Sequence, residues 1–347
     1  MKAFFGKVWN MMSTHKIVTI FVAVVLALVI VFSCLSAFIF NRFSQGKVPT
    51  DGDLKALRDN GQVYEHVVIF GVDGAGSYFN KTDTPGFDSV FNGKLDSSVT
   101  FTALSQYPTI SAQNWGSMIH GVRCNKHKLT NDITGREKYT DTKYPSFMKV
   151  YAERHPEENS MYSVVHWSNI NIGIFEDIEP QLCKINIEEE LGKTTLTSEQ
   201  VSEKVADRTV DIIKTSEPKI IFTHFDCVDS AGHGYGWGKP EFVSAIKTAD
   251  KCIGKIYQAC VEKGWENNTL FICIADHGHE YVGGHGSNNY NVRNVVFAVA
   301  GGKGNVIKGK PGHVVTQDMA SVVLYALGEK QPDSWDGKVP NNMFKGL

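Results

Sequence analysis

Short, unbroken apolar runs that stop abruptly at an acid, a histidine or a glycine limit the fold of this chain more than any other feature. The plainest is Leu270-Phe271-Ile272-Cys273-Ile274-Ala275, closed by Asp276 and His277. Val67-Val68-Ile69-Phe70, Ile220-Ile221-Phe222 and Val295 to Ala300 repeat the pattern, and Tyr162 to Trp167 reads as a further strand. A strand with one wet face alternates apolar and polar residues. A run without alternation is buried on both faces, as in a parallel sheet covered by helices. Helical segments separate the runs. Thr197-x-x-Gln200 is a capping box ahead of Val201, Val205 and Ile212. Pro240 opens a longer helix with Phe242, Ile246, Ala249, Ile253, Ile256 and Cys260 at helical spacing, and Gly264 suits its end. Thr316 to Leu327 is the last helix, closed by Gly328. The alternation predicts one α/β domain around a mostly parallel sheet, which binds ligands at the carboxyl ends of its strands.

The N-terminus follows another rule. Ile17 to Phe40 carries no charge and is almost wholly Val, Ile, Leu, Phe and Ala. At 1.5 Å per residue these residues span ~36 Å as a helix, enough for a bilayer with some tilt. Lys2, Lys7 and Lys16 precede the run, whereas Arg42 and Lys47 follow it, a bias that keeps the short tail inside. The apolar run continues through Phe38-Ile39-Phe40, unlike a cleaved signal peptide. The expected organisation is a cytoplasmic tail over 1–16, a transmembrane signal anchor over 17–40, a polar linker over 41–61 and a catalytic domain over 62–347. That makes a single-pass membrane protein with its large part extracytoplasmic, at the cell surface or in a secretory lumen.

A formal net charge of -2 excludes a strongly basic nucleic-acid binder, so no duplex binding is expected. Of the 7 cysteines, Cys252 and Cys260 lie too far apart on one helix to bond to each other, while Cys124 and Cys183 sit in loop-like stretches and could pair. Asn80-Lys-Thr82 and Asn267-Asn-Thr269 are glycosylation sequons, meaningful only in a eukaryotic secretory route.

Three of the strands end in acids. Asp73 follows the first, in GVDGAG; Asp226 and Asp229 follow the third, in FDCVDSAGHGYG; Asp276 and His277 follow the fourth. His233 lies four residues after Asp229, a spacing that sets two ligands side by side on a helical turn. Carboxylate plus imidazole is a ligand set for a divalent ion, most often zinc. A single loop aspartate is usually a turn former or a helix cap, but three independent strand ends with the same chemistry are not explained that way. In Tyr107-Pro-Thr-Ile-Ser-Ala-Gln-Asn-Trp-Gly-Ser-Met-Ile-His-Gly121, Ser111 stands where a loop enters a short helix, Ala112 to His120. A helix N-terminus attracts a phosphate, although a serine there is more commonly an N-cap.

In this order, Asp-Gly after the first strand, Pro-Thr-x-Ser-x-x-Asn, Asp-x-x-Gly-His and Ala-Asp-His-Gly resemble the alkaline phosphatase superfamily. They look most like its type I phosphodiesterase/nucleotide pyrophosphatase branch, over about Val67 to Gly328. Lys247-Thr-Ala-Asp250-Lys-Cys-Ile-Gly254 is similar to the Asp-x-x-Ile-Gly helix of that branch. The resemblance implies an alkaline-phosphatase-like three-layer sandwich. It also implies two divalent ions, zinc or else manganese. Asp73, Ser111, Asp276 and His277 would hold one. Asp229, His233 and a third histidine would hold the other: His285 in Gly-Gly-His-Gly first, His313 second, His279 third. Ser111 would be the catalytic nucleophile, where the branch usually has threonine. Asn114 and the Ala112 N–H would bind substrate. The Cys/Ser-x-Pro-x-Arg pattern of sulfatases is absent, since Ala-Gln-Asn-Trp follows Ser111.

The expected activity is therefore hydrolysis of a small-molecule or lipid phosphate ester, with diesters favoured. Alternatives are a phosphomonoesterase or a lipid head-group phosphotransferase of the same superfamily, and, outside enzymology, a metal-stabilised binding module without catalysis. Tyr78, Phe79, Trp167, Tyr235 and Trp237 are candidates to stack a nucleobase, but each singly reads as core.

Overall fold

The computed structural model describes residues 20–35, 46–192 and 195–347. Residues 20–35 form a helix whose side chains are exposed, and it belongs to a unit separate from Gly46–Leu347. Among the described residues no helix is long and apolar enough to cross a membrane. The expected span, 17–40, is described only over 20–35, and the tail 1–16 lies outside the described residues.

The second unit is built on seven strands: β1 (His66–Val72), β2 (Asp96–Leu104), β3 (Met161–Val165), β4 (Leu182–Asn186), β5 (Ile220–Phe225), β6 (Thr269–Ile274) and β7 (Asn294–Gly301). They lie in the order β2-β7-β6-β1-β5-β3-β4. The run β6-β1-β5-β3-β4 is parallel throughout, while β7 is antiparallel to both β6 and β2. The mostly parallel sheet expected from the apolar runs is therefore present. Every residue of β1, β5, β6 and β7 is buried, which is why these strands read as continuous runs. Sequence reading missed β2 and β4. Both are edge strands with partly exposed residues, so neither carries an unbroken apolar run.

The main helices of this unit are α1 (Asp51–Asp59), α2 (Pro85–Phe91), α3 (Ser111–His120), α4 (Phe147–Arg154), α5 (Ser198–Thr215), α6 (Cys227–Tyr235), α7 (Pro240–Glu262) and α8 (Asp318–Ala326). Helices α2, α5, α6 and α7 are linked by mutual packing, and α3 and α4 both pack on α8. Ile69 of β1 pairs with both Phe222 and Ile272, so Phe222 and Phe271 point to opposite faces of the sheet. Trp115 of α3 packs edge-on against Phe222, with ring centroids 5.8 Å apart, and Tyr257 of α7 packs edge-on against Phe271 at 5.2 Å. The two helix sets thus cover opposite faces, which gives three layers.

The capping box at Thr197 forms as expected: Thr197 accepts from the Gln200 N–H, and Gln200 accepts from the Thr197 N–H at 2.9 Å. One expected boundary is corrected. Residues 46–61 are not linker but part of the folded unit, because Thr50 and Asp53 make a reciprocal capping box for α1, whose Leu54 and Leu57 are buried. Cys124 and Cys183, whose pairing the sequence left open, are not bonded to each other. Both are free: the Cys124 thiol lies 3.7 Å from the Tyr107 carbonyl, and Cys183 is exposed on β4.

Candidate metal centre and nucleophile

Because β1 lies between β5 and β6, the acids that follow these three strands come together at one edge of the sheet. Asp73 follows β1, Asp226 follows β5, and Asp276 stands two residues after the end of β6. Helix α6 starts directly beyond Asp226 and carries Asp229 and His233 one turn apart. The loop after β6 returns with His279 and His285. Ser111 arrives from the other side. Strand β2 runs the same way as β6, so the loop that leaves it reaches the same edge and enters α3. Ser111 is the first residue of α3, whose N-cap is Ile110, so the serine does not cap the helix.

A first group consists of Asp73, Asp276, His277 and Ser111. The Ser111 Oγ lies 3.2 Å from His277 Nε2, which is 3.2 Å from Asp276 Oδ2 and 3.5 Å from Asp73 Oδ1. Each carboxylate has one oxygen held by donors and one bare. Asp73 Oδ2 accepts from the Trp115 indole N–H at 2.8 Å and faces His224 Nε2 at 3.0 Å, while Asp73 Oδ1 is buried without a partner. Asp276 Oδ1 accepts the N–H of Gly74 at 3.0 Å and of His277 at 2.8 Å, while Asp276 Oδ2 is buried without a partner. Two orphaned carboxylate oxygens converging on an imidazole nitrogen fit a cation, and outer donors that fix the other oxygens are what a ligating carboxylate needs. Burial pushes Asp276 well above the usual carboxylate range, reinforced by the charges of Asp73 and Asp229. Burial acts the same way on Asp73, but the His224 hydrogen bond and neighbouring His277 outweigh it and hold this carboxyl below its ordinary value. Burial, with His285 adding to it, keeps His277 neutral, as a ligand must be.

A second group consists of Asp229, His233 and His285. Asp229 Oδ2 is 3.4 Å from His233 Nε2, which is 3.1 Å from His285 Nε2. Ligand atoms 2.0–2.1 Å from a tetrahedral zinc lie roughly 3.3 Å apart, so these separations suit one shared ion. His285 Nδ1 is 2.7 Å from the Thr109 carbonyl. Donation there leaves the Nε2 lone pair free as a ligand. Of the three histidines considered for this place, His285 lies in the group and His313 is exposed outside it. His279 is fully buried beside Asp229. Asp226 belongs to neither group and accepts a hydrogen bond from Ser230 at 2.8 Å.

The two expected substrate contacts, Asn114 and the Ala112 N–H, both have partners within the protein. Asn114 is fully buried and faces inward: its Oδ1 accepts from the Gln106 N–H at 2.6 Å, and its Nδ2 donates to the carbonyls of Gln106, Pro108 and Ile110. The loop entering α3 has carbonyls to satisfy and no capping side chain, and Asn114 meets that need. The Ala112 N–H is also engaged, by Asn131 Oδ1 at 3.0 Å. Asn131 is exposed, and this bond ties its side-chain amide to the residue after the nucleophile. Sequence reading missed it because an Asn after Thr130 in a polar stretch looks like a turn. Among the aromatics, Phe79 and Trp237 are core, and Tyr78 packs edge-on against Trp237 at 5.1 Å. Tyr235 is exposed, as are Tyr107, Tyr281 and Tyr290 on neighbouring segments of the site.

Residues 67–329 match the family model for type I phosphodiesterase / nucleotide pyrophosphatase, and the chain belongs to that family. It is 25% identical over 158 residues to GPI ethanolamine phosphate transferase 1 of Candida glabrata, covering 40% of this chain and 17% of that protein. It is 27% identical over 73 residues to venom phosphodiesterase 2 of Crotalus adamanteus, covering 21% of this chain and 9% of that protein. The matches thus span less than a fifth of either curated relative. In fold, the chain is similar to murine ectonucleotide pyrophosphatase / phosphodiesterase 5 in an inactive complex with AMP. The TM-score is 0.61 and the identity 12%, over 79% of this chain and 97% of that one. It is also similar to a 2-O GAG sulfatase, with a TM-score of 0.58 and 13% identity, over 80% of this chain and 73% of that one.

Proposed function

We propose that this chain is a metal-dependent phosphoric ester hydrolase of the phosphodiesterase or nucleotide pyrophosphatase type. The observation that carries the reading is the pair of bare, buried oxygens, Asp73 Oδ1 and Asp276 Oδ2, facing His277 beside the Ser111 hydroxyl. Asp73, Ser111, Asp276 and His277 would hold one divalent ion, and Asp229, His233 and His285 a second, with zinc the first choice and manganese the next. When bound, such ions supply positive charge that draws in the phosphoryl group and lowers the pKa of a nearby hydroxyl. Ser111 Oγ, its proton lost, would attack phosphorus and displace one ester oxygen, which takes up a proton and leaves as the alcohol; the seryl phosphoester that remains keeps the other ester group of a diester, and water hydrolyses it to the monoester and free serine. Position at the start of α3 aims the positive end of the helix at the phosphoryl oxygens. The Asn131 amide, whose Oδ1 accepts the Ala112 N–H, would donate to one of them. His277 and His285 stay neutral through burial and so keep their ligand lone pairs.

A second reading, transfer of a phospho-head-group to a lipid, is favoured by the similarity to GPI ethanolamine phosphate transferases over 40% of the chain. A sulfatase is disfavoured by the residues after Ser111. We further propose that 17–40 is a single-pass anchor with the catalytic unit outside the cytoplasm, supported by its lack of charge and by the helix at 20–35. The reaction class is tested with the full chain at pH 8 to 9 and added zinc. The substrates are p-nitrophenyl phosphate, bis-p-nitrophenyl phosphate and the p-nitrophenyl ester of thymidine monophosphate, each with and without chelator. Chelator-sensitive preference for the diesters is expected. Preference for the monoester would make it a phosphatase. No turnover of any, with labelled head group appearing on lipid, would make it a transferase.

A further inference from the structure

We infer that His279, which neither ligand group requires, is a positioning residue that fixes Asp229 and so sets how tightly the second group holds its ion. The inference rests on the two-ion reading. His279 is wholly buried, and its Nε2 lies 2.9 Å from Asp229 Oδ1. The ligand atoms that cluster with it are those of Asp229 and His277, not those of His233 or His285. Its nitrogen is therefore not one of the atoms gathered around the second ion's place.

The ring has one role open to it there. An uncharged imidazole carries a single N–H. Nδ1 is buried without a hydrogen-bond partner, whereas Nε2 faces a carboxylate oxygen. The proton belongs on Nε2, donated to Asp229 Oδ1. Asp229 Oδ1 also stands between the two groups, 3.8 Å from His285 Nε2 and 4.0 Å from His277 Nε2. Without a donor to hold it, this carboxylate is free to turn toward either group. With the donor in place, Oδ2 is the oxygen presented with His233.

The backbone keeps a slot for this ring. A methyl group on Gly232, in the same helix as Asp229, would lie 2.3 Å from the His279 Cδ2 and Nε2 atoms. A methyl on Gly74, next to Asp73, would lie 2.7 Å from Nε2. Glycine at both places lets an imidazole wedge between the end of β1 and α6, within reach of Asp229. A carboxylate ligand held by an outer donor in this way typically loses 10–100-fold in metal affinity when the donor goes.

The test titrates zinc into the metal-stripped full chain against a chromophoric chelator, with thermal midpoints of the stripped proteins recorded alongside. The variants are His279→Met, which fills the slot without a donor; His279→Gln, which keeps an amide donor; and Gly232→Ala, which displaces the ring. The wild-type chain is expected to bind two zinc ions. In His279→Met and Gly232→Ala one ion keeps its affinity and the other binds about 10- to 100-fold more weakly, and His279→Gln recovers most of the loss. Equal affinities in His279→Met and wild type, an equal fall at both sites, or a Gln variant no better than Met would overturn the inference. A wild-type chain that binds no zinc would overturn the two-ion reading itself, and this inference with it.

Discussion

Asp276→Asn should make the metal-free protein more stable and the metal-loaded protein worse, a pair of opposite signs that an ordinary structural carboxylate would not give. The amide oxygen can still accept the N–H groups of Gly74 and His277, as Asp276 Oδ1 does now. The new amide nitrogen takes the place of the bare Oδ2 and gains a donor's contact with His277 Nε2, 3.2 Å away. One buried negative charge disappears. The ligand oxygens of Asp73 and Asp276 lie within 4.8 Å of each other; at an effective dielectric of 20, two unit charges at that separation repel by about 3 kcal/mol. The wild-type chain sheds part of this by keeping a proton, because burial and the charges of Asp73 and Asp229 raise the Asp276 pKa well above 3.8. A folded-state pKa raised above the unfolded value makes the metal-free fold lose stability as pH rises from the unfolded pKa through the folded one. The advantage of the Asn variant therefore grows with pH over that window. Without metal, Asp276→Asn should be more stable by roughly 1–3 kcal/mol at pH 8, or about 5 °C in thermal midpoint. With zinc in excess the order reverses, because affinity at the first group should fall by more than roughly 100-fold. Differential scanning calorimetry with chelator and with zinc reads both. A metal-free variant that melts below the wild type, or a zinc-induced rise equal to that of the wild type, would show that Asp276 is an ordinary structural carboxylate.

Three further outcomes follow from the same geometry. Asn131→Ala should lower turnover about 10- to 100-fold with the thermal midpoint nearly unchanged. Asn114→Ala should instead destabilise the fold by about 2 kcal/mol, since it strips donors from buried loop carbonyls; steady-state kinetics and urea unfolding separate the two, and the reverse pattern would return Asn114 to the site. Asp250 is almost fully buried on α7 and accepts the N–H groups of Gly86 at 3.0 Å and Phe87 at 2.7 Å. It thereby caps α2, so Asp250→Ala should cost about 2 kcal/mol in urea unfolding without changing kcat of the folded enzyme.

What the amino-acid sequence discloses here follows from which features depend on local pattern alone. β1, β5, β6 and β7 are buried on both faces, and their apolar runs say so directly. β2 and β4 border the sheet, and their mixed burial reads as loop. Asp73, Asp229, His233, Asp276 and His277 are legible because strand ends and an i, i+4 turn bring them to one edge whatever the side-chain rotamers. Asn114 and Ala112 lie in an equally readable motif, yet their hydrogen bonds turn to the loop at 106–110 and to Asn131. Side-chain direction depends on which buried carbonyls need donors, and no spacing rule records that. The same applies to Asp250, whose partner helix lies 163 residues away in sequence. It applies as well to His279, whose slot exists only once Gly74 and Gly232 are brought together.

Metal-dependent attack by Ser111 on phosphorus requires both the hydroxyl and the ions. The most direct test measures bis-p-nitrophenyl phosphate turnover by the wild-type chain and by Ser111→Ala, each at known zinc content and again after chelation. Wild-type turnover that chelator removes and zinc restores is expected, with none above background from Ser111→Ala carrying comparable zinc. Turnover by Ser111→Ala at the wild-type rate, or wild-type turnover indifferent to chelator, would contradict metal-dependent attack by Ser111.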